Sequence, residues 1–205
     1  MKLVPFLVAL AILPGVEALA APNTYTFNGS FVSAGQLDPS GNYTSVYVAT
    51  NRESVPPTER TTYMEIAKRT CDADACVEVV AYGFIPNEDF NYTATSAELA
   101  TTIVPSADLE VRASRVELGT GIVTELPPPT GPVSVSFRKS RSFTQSQHGV
   151  VTRTTGSVSV KQVGASTRSS ALASGSILGT PAPSKGEMGT GRGITISVSR
   201  GGATP

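Results

Sequence analysis

The sequence predicts an all-β protein: an antiparallel β-sandwich of Greek-key type, or a barrel, with at most one short helix. Val, Thr and Ser are abundant, and 19 Gly and 15 Pro residues interrupt the chain often. Many short segments alternate apolar and polar residues with the period of two that strands require, and no segment sustains a helical period. Trp is absent and aromatic residues make up only 6% of the chain, so the core is expected to be aliphatic.

The first 20 residues have the features of a secretory signal peptide. Lys2 precedes an apolar stretch, Leu3–Leu13, and Ala18–Ala20 supplies small residues for cleavage. The stretch is too short to cross a bilayer, which takes about 20 helical residues. We therefore expect a secreted or periplasmic protein, residues 21–205, with no transmembrane segment after cleavage.

Two hairpins are predicted in the first half of the mature chain. Tyr25–Gln36 and Tyr43–Thr50 flank a cluster of turn-forming residues, Asp38–Asn42. Thr61–Thr70 and Val77–Phe84 flank the only two cysteines. Each segment is rich in the β-branched and aromatic residues that strands favour.

Cys71 and Cys76 are predicted to form a disulfide that clamps the second hairpin, because an isolated, closely spaced pair oxidises readily in an exported protein. The alternative is a metal site, with Asp72 and Asp74 as calcium ligands or the thiols as zinc ligands. Both metals need more ligands than this segment offers, so no metal is predicted.

The next segment is ambiguous. Thr95–Glu98 matches a helical capping box, which predicts a short helix to Thr102, although Thr101–Val104 is equally prone to form a strand. Leu109–Leu118 alternates cleanly and Ile122–Leu126 follows a Gly-containing turn, so both are predicted strands.

The last third of the sequence has a narrower range of residue types. Apolar residues alternate with Ser, Thr, Lys or Arg in Val133–Arg138, Ser157–Lys161 and Ile194–Ser199, which predicts half-buried strands. Gly179–Gly193 has almost nothing to bury, and is predicted to be a mobile loop.

A proline-rich segment, residues 127–132, separates two parts of opposite charge. Residues 21–132 contain six basic and fourteen acidic residues, a balance of −8, whereas residues 133–205 contain nine basic residues and one acid, a balance of +8. We expect one β-sandwich-like domain over residues 21–205. The alternative is an acidic domain, residues 21–126, and a basic domain, residues 133–205, joined by the proline-rich segment.

The sequence contains no recognisable catalytic constellation, so no enzyme activity and no cofactor are predicted. His148 is the only histidine, and its polar, Gly-containing surroundings predict an exposed turn. No Gly-x-Ser-x-Gly elbow supports a serine nucleophile. A carboxylate pair for glycoside hydrolysis stays open, with these residues as candidates: Glu53, Glu59, Glu65, Glu78, Glu88 and Asp89.

Three Asn-x-Ser/Thr triplets begin at Asn28, Asn42 and Asn91. In a eukaryotic source these would be acceptors for N-linked glycans on exposed segments.

The function that follows from these features is that of an exported, non-catalytic β-protein acting through surface binding, as an adhesive, matrix, envelope or regulatory module. The basic last third fits an acidic polysaccharide, an anionic surface or an acidic protein, and no specific nucleic acid is predicted. Its contact residues would include Arg138, Lys139, Arg141, Arg153 and Lys161. Pairing of this charge with the acidic part of the same chain is the competing interpretation. A small-molecule carrier and an exported hydrolase are the alternative functions.

Overall fold

Strands make up almost all of the described structure. A computed structural model describes residues 23–53, 60–155 and 158–199, so the predicted signal peptide, residues 1–20, lies outside the described residues. A single turn of 3₁₀-helix, Asn87–Asp89, is the one helical element among them. The strands are β1 (Asn23–Leu37), β2 (Tyr43–Glu53), β3 (Arg60–Cys71), β4 (Ala75–Ile85), β5 (Phe90–Tyr92), β6 (Ser96–Ile103), β7 (Leu109–Glu117), β8 (Val123–Leu126), β9 (Gly131–Thr155), β10 (Val158–Ile177), β11 (Thr180–Pro181) and β12 (Lys185–Ser199).

The strands form one antiparallel sheet in the order β5-β6-β9-β10-β12-β1-β2-β3-β4-β7-β8, and β11 pairs with β10 beside this path. Strands β1 to β4 follow one another as a meander, which confirms the two predicted hairpins. The last strand, β12, lies between β10 and β1, so it joins the end of the described chain to its beginning. The predicted all-β, antiparallel fold is confirmed.

The sheet folds over so that strands from both of its ends contribute to a single hydrophobic cluster. That cluster contains residues from both sides of the proline-rich segment, among them Val32, Ile66 and Phe137, each at most 1% exposed. Burial of these side chains is the main stabilising contribution, about 1.5–3 kcal/mol for each large one. The core is largely aliphatic, as expected, with Phe90 and Phe137 as its aromatic members.

Polar contacts join the two ends of the sheet around this core. A guanidinium nitrogen of Arg60 on β3 donates to the backbone oxygen of Phe90 on β5 at 2.7 Å. The hydroxyl of Thr62, a buried side chain, donates to the side-chain oxygen of Asn87 at 2.7 Å. At the other end of the core, the ammonium of Lys68 lies 3.5 Å from the backbone oxygen of Leu178.

The predicted helix after Thr95 is wrong, because this segment is strand β6. Ala97, Leu99 and Ile103 are buried on one side of the strand, and burial at alternate positions outweighs the local capping signal. The hydroxyl of Thr93 accepts the N–H of Ser96 at 3.0 Å and shapes the turn that precedes β6.

The loop predicted over Gly179–Gly193 is wrong in its second half, since β12 begins at Lys185 and pairs with both β1 and β10. Glycine here reflects close packing. A Cβ added at Gly189 would lie 2.5 Å from the ring of Phe31 and 2.4 Å from the backbone oxygen of Thr167. The glycine therefore makes room for an aromatic ring on the neighbouring strand.

Candidate binding surface

Strands β9 and β10 continue far past the hydrophobic core as one long hairpin, accompanied by parts of β12 and β1. We call this extension the arm, and the other described residues the body. The arm comprises Thr144–Thr155 of β9, Val158–Ser169 of β10, Gly189–Ser199 of β12 and Asn23–Phe31 of β1. Each residue from 144 to 150 is exposed. Because successive strand residues point to opposite faces, both faces of this part of the sheet meet solvent.

One face of the arm continues the face that is buried in the body. Val32 and Met188 are paired neighbours in the core. Two positions further along, the hydroxyls of Ser30 and Thr50 lie 3.2 Å apart in a part-buried hydrogen bond. Beyond this point, core residues give way to two exposed rows that run across the strands.

The first of these rows is polar and basic. The strand register places five residues side by side on β9, β10, β12, β1 and β2: His148, Ala165, Arg192, Asn28 and Arg52. His148 therefore lies inside a strand, opposite Ala165, and the prediction of an exposed turn for it is wrong. The histidine is exposed, as expected, because the whole segment is.

The second row is apolar. Val150, Val163 and Ile194 are register partners on β9, β10 and β12, and they are 63%, 39% and 44% exposed. This row and the polar row, except Arg52, line a shallow groove of about 570 Å³. Exposed apolar side chains beside basic ones are typical of a surface that contacts another molecule.

The predicted basic residues do not form one cluster. Arg138 and Lys139 lie at the beginning of the hairpin, opposite Leu172 and Ala171. Arg153 and Lys161 lie near its far end, opposite Val160 and Thr152. All four side chains are exposed, and the side chain of Arg141 lies outside the described residues.

These two groups of basic residues are far apart. Arg138 and Arg153 are aligned with Leu172 and Val160 of β10, twelve residues apart, which corresponds to roughly 40 Å of strand. Arg153 and Lys161 point to opposite faces, because their partners on the facing strand differ in position by one residue along each strand. The basic charge is therefore spread along the β9–β10 hairpin, from Arg138 and Lys139 in the body to Arg153 and Lys161 on opposite faces of the arm.

The opposite charges of the two parts of the chain do not pair directly with one another among the described side chains. The ion pairs there are Arg69–Glu78, at 3.4 Å, Arg112–Glu110 and Arg168–Glu187. The first two lie within the acidic part of the sequence and the third lies within the basic part. Arg138, Lys139, Arg153 and Lys161 are in none of these ion pairs.

The body uses its acidic groups differently. On the outer face of β4 and β7, the hydroxyl of Tyr82 donates to the carboxylate of Glu110, which also accepts from Arg112. The Tyr82 hydrogen bond is the main reason that the pKa of Glu110 is lowered, and it raises the pKa of Tyr82. These charges are therefore engaged within the surface of the body.

The predicted disulfide closes the end of the β3–β4 hairpin. Cys71 and Cys76 are bonded, with their Cα atoms 4.0 Å apart. The carboxylate of Asp72 accepts the backbone N–H groups of Asp74 and Ala75 at 2.9 and 2.8 Å, which lowers its pKa. Asp72 thus stabilises the turn. No group of three or more metal-ligating side chains occurs in the described ranges.

The three predicted glycan acceptors lie in different surroundings. Asn28 is exposed in the polar row of the arm, and Asn91 is exposed on β5. The amide of Asn42 links two turns, since it donates to the carboxylate of Asp38 at 2.9 Å and accepts the N–H of Cys71 at 2.7 Å.

No protein-family model, no curated protein and no solved structure matches this chain. Within the described ranges, no helix has the length and apolar composition that a membrane span would need.

Sequence reasoning missed the arm and its two rows. Val133–Arg138 and Ser157–Lys161 were predicted as short strands, but β9 and β10 contain 25 and 20 residues. The available signal was the long stretch without Pro and with frequent Thr, Ser and Val between Thr144 and Ser169. Arg52 was also missed, because it belongs to the acidic part of the sequence.

Proposed function

We propose that this chain is an exported, non-catalytic binding protein whose arm binds polyanions such as acidic polysaccharides. Residues 1–20 act as its signal peptide, and the disulfide between Cys71 and Cys76 suits an oxidising compartment. One observation carries the proposal: strands β9 and β10 contain six basic residues and no acidic one, in a hairpin whose arm exposes both faces.

The distribution of charge favours a long ligand. Basic groups separated by roughly 40 Å cannot contact one small anion together, whereas an extended polymer reaches all of them. The apolar row and the shallow groove beside it supply further contact area. Because these side chains are exposed, salt screens them, and the Debye length falls to ~8 Å at 0.15 M.

Retention on heparin at increasing NaCl tests this proposal. Replacing Arg153 and Lys161 by Gln removes two charges from the far end of the arm. Replacing Arg112 and Arg115 by Gln gives a matched control in the body with the same change in net charge. We expect the arm variant to bind about three- to tenfold more weakly, and the control to bind like the wild type. Short oligosaccharides should bind more weakly than the polymer.

Equal losses in both variants would mean that only net charge matters, and would refute the arm as the binding surface. Absence of retention at low salt would refute the proposal itself. Circular dichroism of each variant checks that the fold is retained.

A further inference from the structure

The arm has an edge that no described strand covers. Strand β6 pairs with β9 only as far as Arg138, and the N–H of Lys139 donates to the backbone oxygen of Thr95 at 2.8 Å. From Thr144 to Thr155, β9 pairs with β10 on one side, and none of the strands in the described ranges pairs with it on the other. Alternate backbone N–H and C=O groups of these twelve residues therefore point away from the sheet.

This edge lacks the features that normally prevent strand pairing. Natural edge strands are kept short or are protected by proline and charge. The outermost strands at the two ends of the sheet fit that rule: β5 has three residues, and β8 has four and is followed by Pro127–Pro129. The segment from Thr144 to Thr155 is three times as long as β8, contains no proline, and carries one formal charge, at Arg153.

The side chains around this edge define the chemistry of a complementary strand. On one face a new strand would lie beside His148 and Val150, with Val163 and Lys161 on the next strand. On the other face it would lie beside Gly149 and Arg153. Opposite charges across neighbouring strands are stabilising and like charges are destabilising. A strand that carries carboxylates and also presents apolar residues meets both requirements.

We propose that the free edge of β9, from Thr144 to Thr155, takes up an extended acidic polypeptide segment as an additional strand. This inference rests on the proposed function, because it assigns the polyanion of the arm to an acidic polypeptide. Main-chain hydrogen bonds along the edge supply affinity, as in other cases of strand addition, and the basic side chains select the acidic segment. A second copy of this chain would bring another basic hairpin to the same edge, and is therefore disfavoured.

A synthetic peptide separates main-chain pairing from attraction of charge. The probe is a twelve-residue peptide of alternating Glu and Val, together with two derivatives, one N-methylated at every Glu and the other at every Val. Alternate N–H groups of a strand point to opposite sides, so only one derivative loses the donors that face β9. We expect that derivative to bind about tenfold more weakly or worse, and the other to bind like the parent peptide. All three carry the same charge.

Amide hydrogen exchange gives a second readout that requires no variant. The parent peptide should slow exchange at alternate residues between Thr144 and Thr155, whereas heparin should leave these rates unchanged because it forms no backbone ladder. Equal affinity of the two methylated peptides, or no change in exchange, would overturn the inference. Retention on heparin without peptide binding would overturn it and leave the proposed function standing, whereas loss of both would overturn both. A dimer in sedimentation whose β9 amides are already protected would assign the edge to a second copy.

Discussion

The body and the arm are parts of the same sheet, yet they are stabilised in different ways. In the body, one face of each strand is buried, and residues such as Val48 and Met64 are wholly inaccessible to solvent. In the arm, the equivalent face is exposed, so its stability comes from the ladder of backbone hydrogen bonds and from cross-strand pairs. The comparison shows that the buried side chains of the body determine the fold. The exposed side chains of the arm are not needed for a core and are free to contact another molecule.

The two regions also differ in how they treat charge. Several carboxylates of the body have partners within it, as Glu110 has in Tyr82 and Arg112. The hairpin of β9 and β10 has basic residues only, and of those with described side chains just Arg168 is in an ion pair. Part of the charge in the body is thus engaged within its own surface, whereas most of the described charged side chains of the arm, all except Arg168, are in no ion pair.

The largest expected effect contrasts two positions on the same strand. Phe137 is 1% exposed in the body and Val150 is 63% exposed in the arm. Phe137→Ala should lower the free energy of unfolding by about 3–5 kcal/mol, because it removes buried surface and leaves a cavity. Val150→Ala should change it by no more than about 0.5 kcal/mol. Urea denaturation monitored by circular dichroism measures both.

A large loss of stability in Val150→Ala would contradict this difference between the body and the arm, because it would mean that the side chains of the apolar row are buried in solution. Val150→Thr, which keeps the branched shape on an exposed strand, is the matched control for β-propensity.

Sequence patterns predicted the strands that bury one face and expose the other. β1, β2, β3, β4 and β7 were predicted because apolar residues alternate with polar ones and turn-forming residues separate the segments. The disulfide followed from spacing alone. The proposed contact residues Arg138, Lys139, Arg153 and Lys161 could be named from the sign of the charge, but their positions along the hairpin could not.

The length of the arm could not be predicted. Alternation predicted strands at Ser157–Lys161 and Ile194–Ser199, but Thr144–Thr155, whose described side chains are all exposed, has no such alternation. The glycine-rich beginning of β12 was wrongly predicted to be a loop for a related reason. Gly189 accommodates the ring of Phe31 on the neighbouring strand, and a tertiary contact of this kind leaves no local signal. The free edge of β9 is likewise a property of the strand order.

A smaller effect is expected at the disulfide, which lies in the body. Replacing Cys71 and Cys76 together by Ser should cost about 2 kcal/mol or less, because the loop that the bond closes is short. Amide exchange should accelerate around the end of the β3–β4 hairpin and stay unchanged in the arm. A loss well above ~4 kcal/mol, or faster exchange in the arm, would show that this hairpin supports the whole sheet.

The smallest effect concerns acid, which should act on the body and spare the arm. The pKa of Asp38 is lowered from 3.8, chiefly because its carboxylate accepts the side-chain N–H of Asn42, with backbone N–H groups of Asn42 and Ser40 assisting. A carboxyl whose folded pKa is lowered stabilises the protein above its unfolded pKa, and this contribution fades as the pH falls through the folded value. Stability should therefore decline from about pH 4 downward. In Asp38→Asn the decline should be shallower than in the wild type, and the stability at pH 7 lower. Urea denaturation between pH 7 and pH 2.5 measures the slope.

Amide exchange from Thr144 to Thr155, corrected for the intrinsic effect of pH, should stay constant over the same interval. β9 contains no carboxyl group to titrate, and the ion pair of the described arm, Arg168–Glu187, lies where the arm joins the body. If the arm opened first as the pH fell, its stability would depend on carboxylates elsewhere in the molecule. The body and the arm would then not be stabilised independently of each other.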